Sequence, residues 1–257
     1  MTSIRFLGVA GYEVLSPRMR LLIDPFLTGN PLAPFAPEEL EAPNVILVSH
    51  AAYDHMGDAA TIALHTGAPV VCGADVARLL ADQGVPAAQL RATVWGVVVE
   101  VGGVLVRPVE CHHWSSGTLR DGTPVTGVPL AFIVETEPGV RLYHYGDTSI
   151  FDMRLLGELY RPTVGLIGCT VPAELGDDGG AGRVVSGELS PAEAARVVEM
   201  LDLRVAVACH YLEPNPEVAE FVQLVQGLDG VGRAAFAPLV GQTLVIDGAH
   251  VSLEVPA

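Results

Sequence analysis

The sequence predicts an α/β (α+β) fold in which two β-sheets pack face to face with helices outside. Three observations point there. Short apolar, β-branched segments dominate the chain, as strands of a buried sheet require. Helical segments follow the strands within each half. Half of the 257 residues are hydrophobic while only 17% are charged, which suits many strands buried together. No Pro/Ser-rich linker or charge run divides residues 1–257, so a single domain is expected.

Ile4–Val9, Tyr12–Leu15 and Met19–Ile23 read as a meander, with Gly11 and Ser16-Pro17 at its turns. Val45–Ser49 is a compact apolar run suited to a buried strand, and Asp58–His65 reads as a helix closed by Gly67. Strand Pro69–Cys72 and helix Asp75–Gln83 follow, the latter closed by Gly84. Val97–Val101, Val104–Val109, Pro129–Glu135 and Val140–Tyr145 read as further strands, Ile150–Tyr160 as helix and Val164–Ile167 as a buried strand. Ser190-Pro191-Ala192-Glu193 carries an N-cap serine, a proline at the first helical position and a glutamate three residues on, so a helix starts there and runs to about Leu201. Strand Arg204–Ala208, helix Pro216–Gln226 and a hairpin of Gln242–Ile246 with His250–Glu254, turning at Asp247-Gly248, complete the order. Two long loops stand apart: Pro25–Pro37, with four prolines, and the glycine-rich Pro172–Gly187, read as a rim or lid.

Composition excludes several function classes. Thirty acids against fourteen bases give a net charge of −16, a poor match to a phosphate backbone, so no nucleic-acid partner is expected. Apolar runs such as Val45–Val48 and Val205–Ala208 fall far short of a membrane span. The opening MTSIRFLGVAGYEV lacks the pattern of a secretory signal. Cys72, Cys111, Cys169 and Cys209 form no CxxC pair and read as free buried thiols. A cytoplasmic protein acting on a small molecule is expected, and a homo-oligomer is compatible with these features.

Histidines carry the chemistry. His50, Asp54 and His55 follow strand Val45–Ser49 in SHAAYDHMGD; His113 follows Val104–Val109 in ECHHWSSG. Asp147 follows the strand ending at Tyr145, and His210 follows Arg204–Ala208. Four strands thus end in His or Asp, and strand ends on one edge converge, so these residues form a candidate site for zinc or a similar divalent ion. Ser49, Thr148 and Tyr211 adjoin ligands and are candidates to hold imidazoles by hydrogen bonds, as are His112, His144 and Asp24. Tyr53, Trp114, Ser115 and Ser116 are candidates to line a substrate pocket. His65 and His250 lie outside these motifs and read as structural or surface residues.

The segments FLGVAGYEV, LLIDPFLTGNP, VILVSHAAYDHMGD, HWSSG, YHYGDTSIFDM and ACHY, spanning Phe6 to Tyr211, resemble the metallo-β-lactamase superfamily. Within it, the resemblance is to small metal-dependent hydrolases related to ascorbate-6-phosphate lactonases and N-acyl-phosphatidylethanolamine phospholipase D. It implies a four-layer αββα sandwich with a metal site at one edge. The family's loop is His-x-His-x-Asp-His; His50, Asp54 and His55 match it, but the middle histidine falls on Ala52, which cannot ligate a metal. The resemblance implies one position held by Asp54, His55 and His210, another that retains His50 and His113 but lacks its third histidine, and Asp147 as a bridge. A single ion or an asymmetric pair is therefore expected, zinc first, with manganese or iron as alternatives. Val9 stands where many relatives carry a histidine. The implied activity is hydrolysis of an ester, lactone, amide or phosphodiester by a metal-activated water, with Asp54 or Asp147 orienting the water. A binding protein with a weakened metal site and a metal enzyme of non-hydrolytic chemistry are the alternatives.

Overall fold

The alternation of side chains along each strand decides the layers. In the computed structural model, which describes residues 1–170, 187–228 and 232–254, the early strands are β1 (Thr2–Gly8), β2 (Gly11–Leu15), β3 (Arg20–Ile23), β4 (Val45–Val48), β5 (Val70–Cys72) and β6 (Leu90–Ala92). Next come β7 (Val99–Val101), β8 (Val104–Val109), β9 (Ser115–Thr118), β10 (Pro124–Gly127), β11 (Ala131–Glu137) and β12 (Val140–His144). The last are β13 (Val164–Gly168), β14 (Val205–Cys209), β15 (Ala234–Phe236), β16 (Thr243–Asp247) and β17 (His250–Glu254). Among the described residues six α-helices accompany them: α1 (Tyr53–Met56), α2 (Ala59–Thr66), α3 (Ala74–Asp82), α4 (Arg154–Tyr160), α5 (Pro191–Met200) and α6 (Pro216–Gln226).

One sheet runs β17-β16-β1-β2-β3-β4-β5-β6 and the other β15-β14-β13-β12-β11-β8-β7. Along β4, Val45 and Leu47 join the core between the sheets while Ile46 and Val48 join a second core under α2 and α3. That is the period of two expected of a strand buried on both faces. The inter-sheet core takes in Ile4, Phe6, Tyr12, Phe132 and Leu142, and the same cluster continues through Tyr143 to Val197 of α5 and Phe221 of α6 on the far side of the second sheet. The result is four layers, helices–sheet–sheet–helices.

The topology also gathers strand ends. β12, β13 and β14 are parallel, and β8 points the same way because β11 is antiparallel to both β12 and β8. The carboxyl ends of β8, β12 and β14 therefore share one end of the second sheet, where ligand sites form in such sheets. The first sheet is tied there by an isolated bridge: Val9 N donates to Tyr211 O at 2.9 Å, and His210 N donates to Val9 O at 2.6 Å.

The helix expected over Ile150–Tyr160 begins only at Arg154, because Met153 is fully buried and Asp152 Oδ1 accepts the Arg154 N–H at 3.2 Å outside the helix. Strands β6, β9, β10 and β15 were not anticipated. The Ser190 capping box is present, with the Ser190 side chain accepting from Glu193 N and the Glu193 side chain receiving the Ser190 N–H at 2.9 Å. All four cysteines are free and buried. Of the glycine-rich loop, Pro172–Ser186 lies outside the described residues. No helix among the described residues is long and apolar enough to cross a membrane.

Candidate metal centre

Strained backbone presents the key side chains. Among the described residues six non-glycine positions have positive φ, including Val9 (53°), Asp24 (42°), Asp147 (64°) and His210 (69°). All four border or support one cleft. Such conformations cost about 1–3 kcal/mol each and persist only where surrounding structure fixes them. Gly146, at φ 65°, makes the turn into Asp147, and a Cβ there would sit 2.2 Å from Leu130 O. After β4, the single turn of α1 brings Asp54 and His55 back beside His50. Gly57 closes that turn where a Cβ would lie 2.3 Å from Pro25 O.

The six candidate ligands converge. Asp147 Oδ2 lies 2.7 Å from His55 Nε2, 3.2 Å from His210 Nε2 and 3.8 Å from His50 Nε2. Asp54 Oδ2 is 3.9 Å from His210 Nε2, and the His50 and His113 rings meet at 4.9 Å. Donor atoms of Asp54, His55 and His210 lie mutually within 4.8 Å, as do those of His50, His55 and Asp147, and those of His113, Asp147 and Glu188.

Hydrogen bonding from behind aims the rings. Asp24 accepts from Ser49 N at 2.8 Å and from Ser49 Oγ at 2.6 Å, and lies 2.8 Å from His55 Nδ1. Ser49 Oγ in turn lies 3.0 Å from His50 Nδ1. His113 Nδ1 donates to Gly187 O at 2.9 Å. A carboxylate or carbonyl on Nδ1 leaves the Nε2 lone pair for a cation. His50 Nε2, His210 Nδ1 and Asp147 Oδ1 are buried without a hydrogen-bond partner, and the Nε2 atoms of His55 and His210 meet only Asp147 Oδ2. Such orphaned polar atoms are costly, and a divalent cation among them would satisfy several at once. The residues fit a metal.

Their electrostatics follow from burial and crowding. Burial, with His55 adding to it, holds His50 well below the ordinary histidine value; burial also lowers His113 and His144. For His55 burial acts in the same sense, but Asp147 and Asp24 outweigh it and hold the ring well above that value. Burial is likewise overcome at His210, which Asp147 and Glu188 raise to about 9. Asp147 stays well below the ordinary carboxylate value, since His210 and His55 prevail over its burial. Burial first, then Asp147, pushes Glu188 up to about 9.

A cleft of about 660 Å³ opens over these groups, bordered by Phe26, Tyr53, Trp114, Leu212, Glu213 and Glu217 among others. Trp114 stacks on His113 with centroids 4.5 Å apart, and Tyr53 meets Phe26 edge-on. Ser115 and Ser116 do not line it. Ser115 is buried in a hydrogen bond to Asp75 and accepts from Ala51 N at 3.0 Å, while Ser116 pairs with Thr126 in the β9–β10 hairpin. His112 also points away, its Nε2 2.7 Å from Glu110 and its ring on Phe151, because neighbours on an extended chain face opposite ways. His144 lies behind the site, 3.1 Å from Ala10 O and 3.7 Å from Asp24. Of the three residues beside ligands, only Ser49 holds an imidazole: Thr148 accepts from His112 N, and Tyr211 donates to Pro238 O. Glu188 was missed by sequence reasoning. Its one signal was its place just before the Ser190 capping box, where a helix start fixes a side chain rigidly.

Comparison with known proteins identifies the family of this fold. Residues 19–211 match the family described as the beta-lactamase superfamily domain. The chain belongs to that superfamily. A UPF0173 metal-dependent hydrolase of Thermococcus onnurineus is 40% identical over 231 residues, covering 88% of this chain and 92% of its own. Another, from Rubrobacter xylanophilus, is 38% identical over 213 residues, covering 82% and 81%. Among solved structures, the metallo hydrolase Igni18 of Ignicoccus hospitalis superposes with a TM-score of 0.71 at 24% identity, covering 95% of this chain and 97% of its own. At that identity the likeness speaks for the fold.

Proposed function

We propose that the protein is a metal-dependent hydrolase of small, uncharged carbonyl compounds, an ester, lactone or amide. The observation that carries this is the set of buried, unpartnered imidazole and carboxylate atoms at the floor of an aromatic-rimmed cleft. A divalent cation bound there supplies Lewis acidity, making water a competent nucleophile near neutral pH and polarising the electrophile.

This chain's own residues do the rest. Asp54, which keeps part of its carboxylate exposed to the cleft, orients the attacking water and takes its proton. Asp147, pinned between His55 and His210, fixes the spacing of the donors. Tyr53, Phe26 and Trp114 hold the apolar part of the substrate and shed water from it. Glu213 and Glu217 stand on the rim, and no arginine lines the cleft among the described residues. Carboxylates there disfavour anions, which ranks carbonyl substrates above phosphodiesters. Zinc is the ion we assign first, for the mixed nitrogen and oxygen donor set. The four free buried thiols support a place in the reducing cytoplasm.

Elemental analysis followed by a substrate panel tests this reading. The purified protein should hold near-stoichiometric metal and hydrolyse lactones or esters faster than phosphodiesters, and His210→Ala should bind less metal and lose turnover. Native protein without metal, or a metal-loaded protein inert on every member of the panel, sinks it; the latter result would leave a binding protein.

A further inference from the structure

Glu188 occupies a place in the cleft that no strand end accounts for. It lies just ahead of α5, is 5% exposed, and brings a carboxylate oxygen within 4.8 Å of donor atoms on both His113 and Asp147. Its neighbour Gly187 accepts the Nδ1–H of His113 at 2.9 Å. One dipeptide thus turns the Nε2 lone pair of His113 outward and sets an oxygen donor near it.

A buried carboxylate is tolerated when donors or a cation satisfy it. Protein donors near Glu188 are few. Tyr145 Oη donates at 3.3 Å, and His210 Nδ1, at 3.8 Å, is beyond hydrogen-bond range. No lysine or arginine lines this cleft among the described residues. Around Asp147 the remaining donors form overlapping groups, with His55 near both His50 and the Asp54–His210 pair. Asp54, His55 and His210 form one group. On the other side stand His50, its Nε2 without a hydrogen-bond partner, and His113, while Ala52 contributes no donor at all. Besides the shared Asp147, this side therefore has two histidine donors where the group of Asp54, His55 and His210 has three. Glu188 supplies the third.

We infer that Glu188 is a metal ligand that, with His50, His113 and Asp147, completes a second cation position beside the one formed by Asp54, His55 and His210. The inference rests on the metal-dependent reading above, and of the single ion or asymmetric pair expected from Ala52 it selects a pair.

Metal-stripped protein titrated with zinc, and with cobalt followed by its visible absorption, tests it without any substrate. The wild type should take up two equivalents. Glu188→Gln, which keeps the shape of the side chain, and Glu188→Ala should each retain one equivalent at wild-type affinity. Both should lose the other or bind it at least tenfold more weakly, with the cobalt absorption of that equivalent gone. His210→Ala should instead weaken the equivalent that the Glu188 variants keep. Two equivalents at wild-type affinity in both Glu188 variants overturns this inference alone, as does a wild type saturating at one equivalent that both variants retain. A wild type that takes up neither ion overturns it together with the reading on which it rests.

Discussion

At the scale of single residues, Asp24 does the most from outside the cleft. Its two oxygens take the Ser49 N–H, the Ser49 hydroxyl and His55 Nδ1, and Ser49 passes the constraint to His50. Asp24→Asn keeps the volume but removes the charge that fixes both rings, so metal affinity should fall about 10- to 100-fold. Competition against a chromophoric chelator would measure it, and an unchanged affinity would contradict the role. Ser115 has the opposite profile. Ser115→Ala leaves Asp75 and Ala51 N–H without their partner and should cost about 1–3 kcal/mol in urea unfolding, with metal affinity unmoved. Of the seven donor groups gathered at the cleft, six were legible in the sequence, because each follows a strand end. Glu188 was not, because it follows a glycine-rich segment whose composition says nothing of where the chain returns. Ser115 and His112 were misplaced for another reason: sequence adjacency to His113 does not fix which way a side chain faces.

At the scale of elements, local signals and tertiary ones divide cleanly. The α5 start was legible because a capping box and a proline act within four residues. Ser190→Ala should therefore lose about 1 kcal/mol of stability, read as a lowered urea midpoint. The β9–β10 hairpin was not legible, since SSGT and PVTG lack an apolar alternation. It stands on α3, where a Cβ on Gly117 would come within 2.7 Å of Leu79. The late start of α4 has the same origin, a buried Met153 that tertiary packing holds outside the helix. The turn at Gly146 is where element geometry reaches the site. Gly146→Ala meets both an unfavourable φ and the Leu130 carbonyl, so it should destabilise the fold and displace Asp147. Metal uptake near the wild-type level in a folded Gly146→Ala variant would contradict that link.

At the scale of the whole molecule, a chain of net charge −16 concentrates histidine and carboxylate at one edge of its sandwich, and this makes its metal-free stability depend on pH. The layers were legible from the apolar strands, whereas the return of β16 and β17 to the outer side of β1 was not, since nothing local selects a strand's partner. In the metal-free fold, His210 and Glu188 hold protons up to about pH 9, against ordinary values of 6.5 and 4.5, and His55 is also raised. Between pH 7 and pH 9 the folded state therefore binds more protons than the unfolded chain, and stability must fall as pH rises. The share from His210 is complete below 6.5 and is lost as pH passes through about 9. His50, His113 and His144 work in the other direction, because burial keeps them neutral in the fold while the unfolded chain protonates them below 6.5. Acidification below that point draws stability down from this second source, so the metal-stripped protein should be most stable near neutrality. Thermal unfolding of stripped protein should show Tm falling from pH 7 to pH 9. Saturating zinc should flatten or reverse that slope, because the ligands bind it deprotonated. A stripped protein whose Tm rises steadily over the same interval would mean that His210 and Glu188 do not carry raised pKa values in the fold.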